Sequence, residues 1–258
     1  ETSQAFTSEK LVRAEVKQEL RRNLGRLQVL FPGNLDRARS YFRPSRRSEK
    51  ADEEKPAELA MNDDLRRSAI QAYYASTTFM DAQVGLLLEA LDRLKLADNT
   101  IVVFHGDHGY HLGEKDLWQK MSIFEESARV PLIVSAPGNG AKGERCSRPV
   151  ELVSLHKTLI DLCGIPADSK TEGHSLRPLV EKPRARWDHA AFSQVTRKVD
   201  KNEIMGRSVR TERWRYTEWD EGRLGTELYD HENDPREMKN LANEPKHEKT
   251  VEKMRSVL

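Results

Sequence analysis

Two cysteines in 258 residues are too few for a disulfide framework, and Cys146 and Cys163 lack the spacing of metal ligands. Cys146 reads as a loop thiol and Cys163 as a core residue near a helix end. No stretch is long and apolar enough to span a bilayer. No charged start followed by an apolar core marks a secretory signal. An excess of one charge is also lacking. The net charge of +1 removes any compositional reason to expect nucleic acid or a membrane surface as partner. Basic clusters such as 43–47 read as solvated faces. Apolar residues are scarce, at 37% against 33% charged. The length suits one large domain, or one plus a small one.

What is present is concentrated between Thr100 and Gly138. The run Thr100-Ile101-Val102-Val103-Phe104 is β-branched and aromatic. It is expected to form a buried strand of a parallel sheet, apolar on both faces. Gly106 stops the run and Asp107-His108-Gly109 follows. A carboxylate and an imidazole thus stand just past the carboxyl end of a central strand, where open α/β sheets place their ligands. One hard oxygen donor beside one neutral nitrogen donor suits a divalent cation. The alternative is a turn in which Asp107 caps the next segment and His108 is a satisfied core residue.

The longer string bears on that choice. Gly106-Asp107-His108-Gly109-Tyr110 is followed by Leu112-Gly113-Glu114, Leu117-Trp118, Lys120, Phe124-Glu125 and Arg129-Val130-Pro131-Leu132-Ile133. These residues resemble the sulfatase family of the alkaline phosphatase superfamily, nearest to its iduronate-2-sulfatase-like members. The resemblance implies that Asp107 and His108 bind calcium and that Lys120 contacts the substrate sulfate. Family members often carry His-Gly where this chain has Lys115-Asp116, a departure that bears on substrate preference rather than on the metal.

Around this stretch, residues 1–60 read as a charged, poorly defined segment. It holds a thin amphipathic helix at 8–27, a break at Phe31-Pro32-Gly33 and a linker at 39–58. Residues 62–98 carry a strong helical period through Ile70, Tyr73, Tyr74, Thr77, Val84, Leu87, Leu88, Leu91 and Leu94, with Asn62 or Asp63 as N-cap. After the Asp-His pair, a short helix is expected at 122–128 and a second buried strand at 130–135. An amphipathic helix is expected at 150–163, closed by Gly164 and Pro166. His156 is a lone histidine on that helix, with no role assigned. Glu172-Gly173-His174-Ser175-Leu176 resembles the family's turn after it. Short strands joined by turns are expected at 190–195, 207–219 and 227–229, then a helix from Glu244. Leu228-Tyr229-Asp230, Asp234-Pro235, Glu237 and Asn240-Leu241 resemble the family's C-terminal ending.

The expected class is therefore α/β. It is part of an alkaline-phosphatase-like sandwich, a mostly parallel sheet flanked by helices, with a small antiparallel sheet at the carboxyl end. The expected division is 1–60, then 61–185 as the C-terminal part of the α/β domain, then 186–258 as a small subdomain. A sulfatase also needs a formylglycine made from Cys/Ser-x-Pro-x-Arg, and that motif is missing. Ser147-Arg148-Pro149-Val150-Glu151 ends in Glu, and Cys163-Gly164-Ile165-Pro166 has its proline one place late. Phe42-Arg43-Pro44-Ser45-Arg46 has no nucleophile at its first position. Asp63-Asp64-Leu65 looks like the family's first metal pair, but no strand precedes it, and helix capping explains it better.

Three readings follow. The first is a sulfuric ester hydrolase acting on sulfated carbohydrate or another sulfate ester, with Ca2+ as cofactor. The missing amino-terminal half of the same enzyme would be its partner, and the parent would be exported, periplasmic or lysosomal. The second is a phosphate or phosphonate ester hydrolase of the same superfamily. The third is a non-catalytic remnant acting as a binding or structural module.

Overall fold

The structure, a computed structural model, describes residues 62–138, 141–166, 170–199 and 202–258. The expected helix at 8–27, the break at Phe31-Pro32-Gly33 and the linker at 39–58 lie outside the described residues. The chain divides into two compact units between Thr100 and Ile101.

The first unit holds helix α1, Asp63–Arg93. It begins where the sequence places its cap: Asn62 is extended and its side-chain oxygen accepts the Leu65 N–H at 2.9 Å. Asp63 and Asp64 fall in the first turn, where the helix dipole favours negative charge. The helix stops earlier than residue 98. Lys95 turns left-handed (φ 57°). The Lys95 and Leu96 N–H groups then bond back to the carbonyls of Asp92 and Leu91. That is a Schellman ending built on lysine instead of glycine, so no glycine announced it. Ala90 is buried, while Tyr73, Tyr74, Leu87 and Leu88 of the expected stripe are exposed.

The second unit opens with β1, Val102–His105. It pairs with β4, Leu132–Ser135, in the register Val102 to Ser135 through His105 to Leu132. This pairing is antiparallel, and Val102 to Phe104 are only half-buried, which corrects the expectation of a parallel neighbour and full burial. An apolar run specifies burial but not the direction of its partner. Between these strands lie β2, His111–Leu112, β3, Trp118–Gln119, and the one-turn helix α2, Glu125–Ala128. Beyond them come α3, Ser154–Leu162, and α4, Arg177–Glu181. The turn 172–176 docks on α3: Ser154 Oγ accepts the His174 N–H and Thr158 Oγ1 the Leu176 N–H. Gly164 (φ 67°) closes α3 as expected. Cys163, expected in the core, is exposed, because Ser154 and Thr158 mark the buried face and Cys163 lies off it.

The carboxyl end is an antiparallel meander of β5, Ala191–Val199, β6, Asn202–Arg210, β7, Trp214–Trp219, and β8, Thr226–Asp230. Helix α5, Glu248–Arg255, covers one face. Register places Tyr216 between Val209 and Leu228, and these three with Met254 form the core. Alternation along the strands turns Ser208, Arg215, Thr217 and Tyr229 to the opposite face. All four are buried there. This second face is polar, and α2 lies against it through contacts described next.

Candidate functional site

The chain past β1 keeps its pairing for one more residue, as Gly106 N–H donates to the Pro131 carbonyl. Asp107 and His108 then leave the sheet. Gly109 N–H donates to Ser127 O at 2.8 Å, bringing this loop backbone to backbone with α2. A Cβ at Gly109 would lie 2.1 Å from the Glu126 carbonyl oxygen. Glycine is required there by close approach, not by a left-handed φ.

The three residues read from the sequence come together. The His108 ring accepts a hydrogen bond from Lys120 Nζ at Nε2, 2.8 Å away, and its Nδ1–H donates to the Gly109 carbonyl at 2.8 Å. The second bond fixes the tautomer and leaves the Nε2 lone pair facing Lys120. Asp107 Oδ2 stands 3.5 Å from the same Nε2. Asp107 also accepts the His108 N–H, as the turn alternative expects, but no helix follows and His108 is not a core residue. Backbone N–H donation within the Asp107 residue, with the neighbouring His108 and Lys120, holds its carboxyl below the usual carboxylate range. Asp107, His108 and Lys120 line a groove of about 2040 Å³ that also takes in Arg129, Arg145 and Arg210.

A cation fits Asp107 and His108. Asp107 Oδ2 and His108 Nε2 lie close enough to share it once Lys120 Nζ, which takes the Nε2 lone pair here, turns away to another acceptor, and the His108 ring is already oriented by the carbonyl behind it. The other candidates fall elsewhere. Asp63 and Asp64 belong to the first turn of α1. Arg148 of the Ser-x-Pro stretch pairs with Glu212. His156 is exposed on α3.

Sequence reasoning missed what holds these groups in place. His111, fully buried, bonds through Nε2 to Ser122 Oγ at 2.6 Å, and burial pushes its pKa down. Ser127 Oγ donates to the Lys120 carbonyl, and the Ser122 N–H reaches the same oxygen at 2.8 Å. Beneath α2 lies an ionic network. Arg215 donates to Glu125 Oε2 at 2.6 Å and to Glu237 Oε1 at 2.5 Å. His231 Nε2 is 2.8 Å from Glu237 Oε1. The second Glu237 oxygen accepts the Glu125 N–H at 2.8 Å.

Glu125, His231 and Glu237 are close enough to suggest a metal cluster. The Arg215 guanidinium already supplies the cation between the two carboxylates, so the group is accounted for as an ion-pair network. Glu125 and Glu237 stand among the motif residues of the sequence. Their pairing with Arg215 left no local signal.

Comparisons with known proteins match the chain to sulfatases. The family model described as sulfatase matches residues 32–165. The model described as N-sulphoglucosamine sulphohydrolase, C-terminal, matches 113–258. A sulfatase of Formosa agariphila is 34% identical over 201 residues, covering 78% of this chain and 38% of that protein. The iduronate 2-sulfatase of Homo sapiens is 34% identical over 212 residues, covering 60% and 38%. The solved structure of a 2-O GAG sulfatase superposes with a TM-score of 0.68 at 32% identity, covering 76% of this chain and 43% of the other. The chain thus spans well under half the length of these relatives.

Proposed function

The chain belongs to the sulfatase family, and from that membership we propose that it carries the metal- and sulfate-binding part of a sulfuric ester hydrolase acting on sulfated glycans or related esters. Asp107 and His108 hold the metal, and Lys120 holds a sulfate oxygen. The observation that carries this reading is the meeting of Lys120 Nζ, His108 Nε2 and Asp107 Oδ2 at the end of β1, beside an open groove.

The bound cation supplies positive charge against the charge that develops on the ester oxygens. Lys120 adds a compact point charge on a sulfate oxygen. Asp107, with its carboxyl held below the usual range, stays ionised and available to a cation at neutral pH. Ca2+ is the ion we favour, and a sulfated carbohydrate the substrate. The ion rests on the resemblance read from the sequence and on the hard carboxylate donor, and the substrate on the similarity to a 2-O GAG sulfatase. By the family resemblance, the parent enzyme is exported, periplasmic or lysosomal. No helix among the described residues is long and apolar enough to cross a membrane. We keep 61–185 as the C-terminal part of the α/β domain and 186–258 as a small subdomain. None of the 258 residues opens a Cys/Ser-x-Pro-x-Arg motif, so this chain supplies no attacking group of the family's kind.

Calorimetry with Ca2+ tests the metal assignment. Two side chains make a weak calcium site, so a Kd of about 10⁻⁴–10⁻³ M is expected for the chain. The binding heat should vanish in Asp107→Ala. Equal affinity in Asp107→Ala and the parent chain would remove Asp107 from the site.

A further inference from the structure

The hairpin of β2 and β3, which leads into Lys120, contains only two residue pairs, His111 with Gln119 and Leu112 with Trp118. Hairpins this short do not hold their shape alone in water. This one also carries backbone strain. Lys115, Asp116 and Gln119 all have left-handed φ, at 54°, 56° and 73°. Such strain persists only where the surroundings over-determine it.

A restraint at the tip is Lys115. Its side chain turns inward and is 12% exposed. Nζ donates to Glu126 Oε1 at 2.8 Å and to the Arg236 carbonyl at 2.7 Å, and lies 4.8 Å from the centre of the Phe124 ring. Each anchor leads back to the site. Glu126 precedes Ser127, whose carbonyl accepts the Gly109 N–H and whose hydroxyl donates to the Lys120 carbonyl. Arg236 precedes Glu237, which accepts the Glu125 N–H at the start of α2. One segment of α2 therefore holds both the Asp107-His108 loop and the hairpin, and Lys115 ties the hairpin tip to that segment.

We propose that Lys115 is a positioning residue for Lys120, tethering the β2–β3 hairpin to Glu126 and to the turn after β8 so that the Lys120 ammonium meets His108 Nε2. The residue that departs from the usual His-Gly of the family thus acts on the geometry of the site rather than on substrate. Its functional meaning rests on the reading of Lys120 as the sulfate-binding lysine. Its structural content does not.

The test uses the 258-residue chain with 15N-labelled histidine. The Nε2 resonance of His108 reports whether Lys120 donates to it. In Lys115→Met that hydrogen-bond shift should be lost, while the His111 nitrogen resonances and amide protection of β6 to β8 stay as they were. Lys115→Arg, able to reach both anchors, should restore it. Glu126→Gln keeps the shape and removes the charge, and it should move the resonance the same way if Lys115→Met does not fold.

Titration with inorganic sulfate forms the second arm. Lys115→Met should weaken binding about tenfold, as Lys120→Ala does, the effect of losing one charged hydrogen bond. An unshifted His108 resonance in Lys115→Met and Glu126→Gln overturns the proposal. A lost resonance shift with sulfate binding indifferent to Lys120→Ala leaves the tether standing and removes the sulfate role of Lys120.

Discussion

Gly109→Ala is expected to unseat α2 from the Asp107-His108 loop and to destabilise the second unit by about 3–4 kcal/mol. The added Cβ would sit 2.1 Å from the Glu126 carbonyl oxygen and 2.9 Å from the Arg129 carbonyl oxygen. Both are backbone atoms, so no side-chain rotation relieves the clash. The Gly109 N–H bond to Ser127 O, 2.8 Å long, would be stretched or broken. Ser127 also holds Lys120 through its hydroxyl, so the loss should spread from stability to the site. Urea unfolding followed by circular dichroism gives the magnitude. A midpoint within error of the parent chain would mean that α2 does not pack on Gly109.

Glu237→Ala should be comparably severe, at about 3–5 kcal/mol, the range for breaking a buried ion pair from one side. The Glu237 side chain is fully buried and takes Arg215, His231 and the Glu125 N–H on its two oxygens. Truncation leaves Arg215, 3% exposed, with Glu125 as its remaining carboxylate. Burial works to raise the Glu237 pKa. The hydrogen bond from His231 and the charge of Arg215 outweigh it, and the carboxyl titrates below its ordinary 4.5. A pKa lower in the folded than in the unfolded chain stabilises above the unfolded value, and that contribution is lost as pH falls through the folded one. Acid should therefore weaken the parent chain below about pH 4.5 more steeply than it weakens Glu237→Gln. Parallel acid limbs for the two would separate Glu237 from the acid sensitivity of the fold.

These two residues show how unevenly the sequence reveals the molecule. Signals carried by neighbouring residues were readable. Asn62 caps α1, Gly164 closes α3, and Asp107, His108 and Lys120 meet in space as they stand in one motif. The C-terminal strands follow their alternation. What the sequence conceals is partnership at long range. Arg215 meets Glu125 across 90 positions, and Glu125 meets Glu237 across 112. No local pattern encodes either pair. The antiparallel match of β1 with β4 was hidden for a similar reason, since Ile101 to Phe104 would suit a buried strand of either direction. Lys115 was legible as a departure from the family string, but its inward turn depends on a left-handed backbone that a lysine does not advertise. His111 gave no signal, because a buried histidine bonded to serine looks in sequence like any other.

The most direct test of the account is sulfate release from a chromogenic aryl sulfate. It compares the purified 258-residue chain with a longer protein that adds a Cys/Ser-x-Pro-x-Arg segment upstream of these residues. The short chain should release none, since Asp107, His108 and Lys120 bind and orient but do not attack. The longer protein should turn over, and Lys120→Ala should lower its kcat about 10²–10³-fold, as removal of one charge-stabilising donor does. Metal-dependent turnover by the short chain, abolished in Asp107→Ala, would contradict the claim that these residues form only the binding part of the centre.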